Sequence, residues 1–274
     1  MSVSPDIKSG HKTGKICLVS VDVEEDLGTK TFRGVENLDN ILDVFDDFGI
    51  RATLFVTGEV IEKFPVMVQR WSRKHEIGSH GYYHTNLREL SHAAREQQLA
   101  GFCALYEKIL GQSPRGFRAV QHSIDEAQLK IIERLGFAYD SSVIPGYVPL
   151  RRYAGFRGKA PVVPYHPSYD DCRKEGNMRV LEVPCAPVAF GVPLYGTWIR
   201  VLTPRIFDIL LIRKPGFISL AMHSWDGIGY TGPFSRNSGK MFLKYLPEML
   251  AKLRRDYRFL PAETISRQQG RQAG

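Results

Sequence analysis

The 274-residue chain has no apolar run approaching the about 18 residues that a membrane-spanning helix requires. Its opening residues, Met1-Ser-Val-Ser-Pro-Asp-Ile-Lys-Ser-Gly10, lack the apolar stretch of a signal peptide. These two absences lead us to expect a cytosolic protein. The four cysteines, Cys17, Cys103, Cys172 and Cys185, show no Cys-x-x-Cys spacing, which argues against a thiolate zinc site or a disulfide framework. Cys17 and Cys185 sit inside apolar runs and read as buried thiols. Ser141 and Ser142 are not set in a Gly-x-Ser-x-Gly elbow, so serine-hydrolase chemistry is not indicated. No glycine-rich phosphate loop precedes a helix, which argues against nucleotide-driven chemistry. There is no repeat of fixed period and no low-complexity linker.

Composition is that of an ordinary folded domain: 43% hydrophobic and 24% charged, which disfavours disorder. The net charge is +8, but Lys8, Lys12 and Lys15 against Asp6, together with Arg267 and Arg271, place about half of it near the two ends. The remainder is too modest to argue for nucleic acid. It suits an anionic small substrate or an acidic membrane surface.

Strand-like apolar runs at 16–23, 52–57, 76–80, 116–120, 138–143, 180–184 and 217–223 alternate with helical patterns at 35–48, 60–74, 91–110, 125–135, 203–212 and 239–255. Such alternation with short links predicts parallel βαβ units. About seven units in one chain predict a distorted (β/α)7-8 barrel rather than two domains. We expect a flexible tail over 1–15, the barrel over 16–265 and a second tail over 266–274. Within the barrel, residues 145–178 break the pattern with prolines, aromatics and the cations Arg151, Arg152, Arg157 and Lys159, and read as an inserted flap. Ser91, Asp125 and a Ser123–Glu126 capping box are expected helix starts, and Gly49, Gly111 and Gly136 are expected stops. His75 is expected to cap a helix C-terminus.

In an α/β barrel the reactive groups lie at the C-terminal ends of the strands. Asp22 and Glu24 fall there after the first strand, His80 after the third, Arg118 after the fourth, Asp140 near the fifth and His223 at the last. Residues 22 and 24 point to one face of a strand, so both carboxylates can face the barrel mouth. His80 and His84, four apart after a glycine-containing turn, can present two imidazoles to one metal. A carboxylate and two imidazoles leave positions open for water and substrate, as a catalytic metal requires. Glu24 and Glu25 both remain candidates for the carboxylate. Zinc is the default ion for such a set, with cobalt, nickel or manganese able to take the same ligands. His122 and His166 stand as cleft-lining candidates. A metal-assisted hydrolase is the leading reading.

Five short motifs, in order, resemble the polysaccharide deacetylase family, also called the NodB-homology domain or carbohydrate esterase family 4. They are Ser20-Val-Asp-Val-Glu24, His80-x-x-x-His84 with its preceding Glu-Ile-Gly, Phe117-Arg-Ala-Val-Gln121, Tyr139-Asp-Ser-Ser142 and Leu220-Ala-Met-His223. The resemblance implies that Asp22 is the general base and that Glu24, His80 and His84 hold the metal. It further implies that Arg118 keeps Asp22 ionised, the Gln121 N–H helps hold the oxyanion, and His223 is the general acid supported by Asp140. Water needs a base, the oxyanion needs a cation and a donor, and the departing amine needs a proton. Glu24 stands where the family has Asp, displaced by one residue, and Val120 where it has proline. The first of these departures is similar to an intracellular branch that includes the lipid-linked aminoarabinose deformylases.

The substrate expectation is an N-acetylated or N-formylated amino sugar, linked to a lipid phosphate or a nucleotide. Tyr147, Tyr153, Phe156, Tyr165, Tyr169, Trp198 and Trp225 are candidate sugar-facing aromatics, Trp225 foremost. Residues 198–214 are apolar with flanking cations and can be read as a core helix, favoured here, or as an inner-membrane contact. Two other readings stay open: an amidase opening a cyclic imide or ureide, and a non-catalytic carbohydrate-binding module.

Overall fold

The computed structural model describes residues 14–146, 155–156, 158–189, 192–232 and 235–270. Its centre is one parallel sheet. The strands are β1 (Ile16–Val23), β2 (Thr53–Val56), β3 (Glu76–Ser79), β4 (Gly116–Phe117), β5 (Tyr139–Asp140), β6 (Leu181–Glu182), β7 (Leu194–Tyr195), β8 (Phe217–His223) and β9 (Arg258–Leu260). Their order is β6-β5-β4-β3-β2-β1-β8-β7, with β9 beside the start of β1. The strands pair in parallel throughout, and among the described residues β6 and β7 do not pair, so the curled sheet is an open α/β barrel.

Period-2 alternation sorts the side chains. Leu18, Phe55, Tyr139, Leu181, Val183 and Phe217 pack in the barrel interior with Ala262 and Ile265. The alternate residues, including Val19, Val21, Val23, Leu54, Val56, Ile218 and Leu220, join the larger core under the helices. Continuous apolar strands follow from this burial on both faces. The interior is polar at both ends. At the start of the strands Glu76 accepts from Tyr139, Thr53 and the Glu263 N–H; at their ends lie Asp22, His80 and Arg118.

Helices cover the outside: α1 (Arg33–Glu36), α2 (Asp39–Asp47), α3 (Gly58–Lys63), α4 (Pro65–Ser72), α5 (His92–Leu110), α6 (Glu126–Arg134), α7 (Gly196–Leu210), α8 (Lys240–Leu253) and α9 (Ala262–Gly270). The pattern at 60–74 is two helices because Pro65 lacks the N–H to continue the first and sits at N1 of the second. Ser91 caps α5 as expected, accepting from the Ala94 N–H. Asp125, not Ser123, caps α6, accepting from the Gln128 N–H. Gly111 and Gly136 take positive φ at helix ends, as expected of stops. Helix α9 runs through 266–270, where a tail was expected, and Ile265 is buried. The expected tail residues 1–13 and 271–274 lie outside the described residues.

The described part of 145–178 packs as an outer cover. Phe156, Cys172, Met178 and Val180 join Leu129, Ile131 and Ile132 of α6 in a second core. Tyr169 donates to Glu133 and the Cys172 N–H to Glu126, so two of the expected sugar-facing aromatics, Phe156 and Tyr169, hold this segment to α6 instead. Tyr165 is buried and donates to the Cys172 carbonyl. Tyr147, Arg151, Arg152, Tyr153 and Arg157 lie outside the described residues, and Lys159 is exposed. Residues 198–214 are mostly α7, with Ile199, Phe207 and Leu210 buried and Ile206, Ile209 and Ile212 exposed. No helix among the described residues is long and apolar enough to cross a membrane.

Candidate active site

The mouth of the barrel gathers side chains from five strand ends. Glu24, just past β1, faces both histidines. Its Oε2 lies 3.1 Å from His80 Nε2 and 2.8 Å from His84 Nε2. One ligand atom from each of the three falls within 4.8 Å of the others, the one such cluster among the described residues. His80 Nδ1 is 2.8 Å from the Arg118 carbonyl oxygen, an atom that can only accept. A proton is thereby held on Nδ1, and Nε2 is turned to Glu24. This donor set fits a divalent metal. Glu25 stands 3.7 Å from the other ring nitrogen, His84 Nδ1, so Glu24 is the carboxylate the trio shares. Burial pushes the Glu24 carboxyl up, but hydrogen bonds from both histidines outweigh it and hold Glu24 well below the usual range. Burial likewise lowers His84, while Glu24 raises it more, for a net upward shift.

Asp22 lies one strand period earlier. Arg118 Nη1 donates to its Oδ1 at 2.7 Å and to Ser20 Oγ at 2.9 Å. The guanidinium is fully buried and its other nitrogens reach the Ser141 carbonyl, Ser141 Oγ and Cys185 Sγ, with the Phe55 ring 4.2 Å below. So completely engaged, it cannot swing away. Burial raises Asp22, but the Arg118 charge, with His80, His223 and His122 behind it, overcomes this and leaves Asp22 lowered. The expected Arg118–Asp22 pair is thus present.

His223 ends β8 directly beside Asp22 in register. Its acidic neighbour is Asp226, one turn on: Nδ1 lies 3.5 Å from Asp226 Oδ2, an ionic contact longer than a hydrogen bond, while the same oxygen accepts the His223 N–H at 2.9 Å. Burial lowers His223, and Asp226, Glu24 and Asp22 together raise it above its ordinary value. Asp226 is itself gripped by Arg200 of α7, Nε to Oδ1 at 2.8 Å, with both side chains fully buried. Gly196 makes room for this carboxylate: a Cβ there would come within 1.9 Å of Asp226 Oδ2.

Asp140 does not support His223. Its neighbour Ser141 faces Arg118 inside the barrel, so by strand alternation Asp140 points outward. There it accepts from Ser142 Oγ at 2.6 Å and sits in register with Glu182. Burial raises the carboxyl groups of both; their shared hydrogen bond then favours the charged form of Asp140, and the Asp140 charge drives Glu182 further up, well above its ordinary value. Trp225, expected to face sugar, is buried; it donates from Nε1 to Glu24 Oε1 at 3.3 Å and stacks on His223 at 4.2 Å. It therefore braces Glu24 and His223 together. Gln121 is exposed in a 3₁₀ turn just past Arg118, and both it and His122 take positive φ, which is strained for residues with a Cβ.

His122 is buried. Its Nδ1 donates to the Ser142 carbonyl at 3.0 Å and its Nε2 accepts from Tyr195 Oη. Burial, then the Arg118 charge, depresses it to about 3. The unfolded chain takes a proton at the ordinary ~6.5 while the folded one resists, so stability falls as pH drops through this window. The loss is expected at about 1.4 kcal/mol per pH unit below ~6. Urea midpoints from pH 7 to 4.5 check it: His122→Phe should flatten the slope, and an unchanged slope would assign the acid sensitivity elsewhere. His166 instead binds the Met178 carbonyl in the outer cover, and His75 accepts the Ala52 N–H rather than capping its helix. Asp226, Arg200 and Tyr195 carry no family motif; the one signal in the sequence is an Asp three residues past His223.

The chain is thus an open parallel α/β barrel with a Glu–His–His trio, a buried Asp–Arg pair and an Asp-backed histidine at its mouth. Comparison with known proteins adds to this. The family model described as polysaccharide deacetylase matches residues 22–139. A peptidoglycan deacetylase-like protein of Gibberella zeae is 29% identical over 201 residues, 71% of this chain and 56% of its own length. A peptidoglycan-N-acetylglucosamine deacetylase of Bacillus cereus is 34% identical over 91 residues, 33% of each chain. The chain thus spans between a third and just over half of these curated relatives. Among solved structures, a protein of Mycobacterium smegmatis described as a polysaccharide deacetylase superposes with a TM-score of 0.68 at 18% identity, covering 99% of this chain and 96% of that one. That likeness bears on the fold, which is of the NodB type. By sequence the chain is similar to polysaccharide deacetylases, the family model covering residues 22–139.

Proposed function

We propose that the chain is a metal-dependent hydrolase that removes an acetyl or formyl group from the nitrogen of an amino sugar. The observation that carries this reading is the convergence, at one end of one sheet, of the Glu24–His80–His84 trio, the Arg118-held Asp22 and the Asp226-backed His223. A divalent ion, zinc by the chemistry of the donors, would supply Lewis acidity to the amide oxygen and to water there. Asp22, kept as a carboxylate by Arg118, takes the proton from the attacking water. His223, which Asp226 favours in its protonated form, gives a proton to the departing amine. The Gln121 N–H, presented beside Arg118, is the proposed second donor to the oxyanion. The names of the matched relatives support the acyl-amide of a sugar as the substrate class.

In its finer form the proposal takes a lipid-phosphate- or nucleotide-linked amino sugar, in keeping with the aminoarabinose-deformylase resemblance and a net charge of +8. The test is metal content together with amine release from a panel of N-acetylated and N-formylated sugars, in wild type and His84→Ala. We expect about one metal per chain from a single three-ligand site, with both metal and amine release lost in the variant. Bound metal with no release from any sugar, but opening of cyclic ureides, would replace this reading with the cyclic amidase. Sugar binding without metal or turnover would replace it with a binding module.

A further inference from the structure

At the other end of the sheet, around the start of β3, lies a cavity of about 190 Å³. Its lining includes Arg51 before β2, Arg115 before β4, Arg267 of α9, Glu76, Gln112 and Glu263. Four strand residues separate it from His80, about 13 Å at the rise of a β-strand. It is therefore distinct from the catalytic mouth.

The charges around this cavity do not balance. Three guanidiniums converge on one carboxylate, Glu263. Arg267 holds it at 2.6 Å, but Arg51 and Arg115 stand off at 3.7 and 4.0 Å, beyond hydrogen-bond range. Among the described residues, neither Arg51 nor Arg115 makes a side-chain hydrogen bond to any other group. Glu76 cannot serve them: it is spent inward on Tyr139, Thr53 and the Glu263 N–H. Even with both glutamates counted as charged, three arginines leave one net positive charge in the lining. The two loosely held guanidiniums offer unspent planar donor pairs, the geometry that matches a tetrahedral oxyanion. A phosphate group, roughly twice the ~30 Å³ share of one water molecule, fits the space of about 190 Å³.

From this we infer that the cavity formed by Arg51, Arg115 and Arg267 is an anion site for a phosphate-type oxyanion, separate from the metal trio and independent of its chemistry.

The test is inorganic phosphate titrated at constant ionic strength against wild type and Arg51→Ala/Arg115→Ala, with melting temperature and phosphorus NMR line width as readouts. Wild type should show a saturable rise in melting temperature and saturable broadening. Binding should weaken at least about tenfold in the double variant, the loss of two charge-assisted contacts. A rise that is equal in both proteins, whether saturable or linear, overturns the proposal: it would reflect binding elsewhere, the catalytic mouth included, or general exclusion of the salt. Glu263→Gln removes the competing carboxylate and should tighten binding; unchanged or weaker binding overturns the proposal without reliance on the arginine variants. Co-sedimentation with vesicles containing phosphatidic acid, absent with neutral vesicles and lost in the double variant, would assign the oxyanion to a lipid headgroup. Saturation by free phosphate alone would assign it to a soluble ligand.

Discussion

Asp22→Asn is expected to lower the turnover of amine release by about 10²–10⁴-fold, the contribution of a positioned general base, while metal content stays at the wild-type level. The two readouts separate because Asp22 is not one of the three side chains that share the trio; its oxygen is bound to Arg118. Asparagine keeps the shape and one acceptor but cannot take a proton. It also leaves the Arg118 charge buried without its counter-ion, so stability should fall as well, by about 3–5 kcal/mol if the full cost of an orphaned buried charge is felt. Turnover normalised to folded protein isolates the chemical effect. A normalised rate within tenfold of wild type would remove Asp22 as the base and shift that role to Glu25, the other carboxylate at the mouth, 3.7 Å from His84.

The second large effect is expected at Arg200, outside every motif. Arg200→Met removes the partner of a fully buried carboxylate and should cost about 3–5 kcal/mol, a drop in melting temperature of roughly 6–20 °C for a chain of this size. Arg200 also donates to the Arg236 carbonyl and to Thr197 Oγ1, so part of the loss comes from those contacts. A double-mutant cycle with Asp226→Asn isolates the pair: the combined variant should be less damaged than the sum of the two. Additive losses would mean that Arg200 and Asp226 act separately, and the chain of contacts from α7 to His223 would then carry no coupling. Because Asp226 also accepts the His223 N–H, disruption should lower turnover without loss of metal.

These two sites differ in how far the sequence reveals them. β1 and β8 are legible to the residue because each is long, apolar and buried on both faces. β7, two residues long, and β9 carry too little pattern to register, and β4 to β6 are much shorter than their apolar runs. The trio is legible because two of its members share one short motif and the third ends the first strand. Asp140 misleads for a local reason: a shift of one residue along a strand reverses the face, and its neighbour Ser141 is the one that looks inward. The backing of His223 comes from Asp226 in the next turn and from Arg200 on a helix before β8, a pairing that only packing brings together. Trp225 reads as an exposed aromatic in sequence, yet its ring closes on His223 and its N–H on Glu24.

The position of β1 between β2 and β8 has a consequence for synthesis of the chain. All three side chains of the trio lie within the first 84 residues, so β1, β2 and β3 can pair as soon as that stretch has cleared the ribosome. The other long edge of β1 must wait for residues 217–223, a delay on the order of ten seconds at ordinary translation rates. For that interval the nascent chain holds the Glu24–His80–His84 trio but not His223, with an apolar strand edge open to neighbours. Cation capture by the emerging half-sheet would pin β1 to β3 early, so metal starvation during growth should harm the yield of folded chain more than metal removal harms the finished protein.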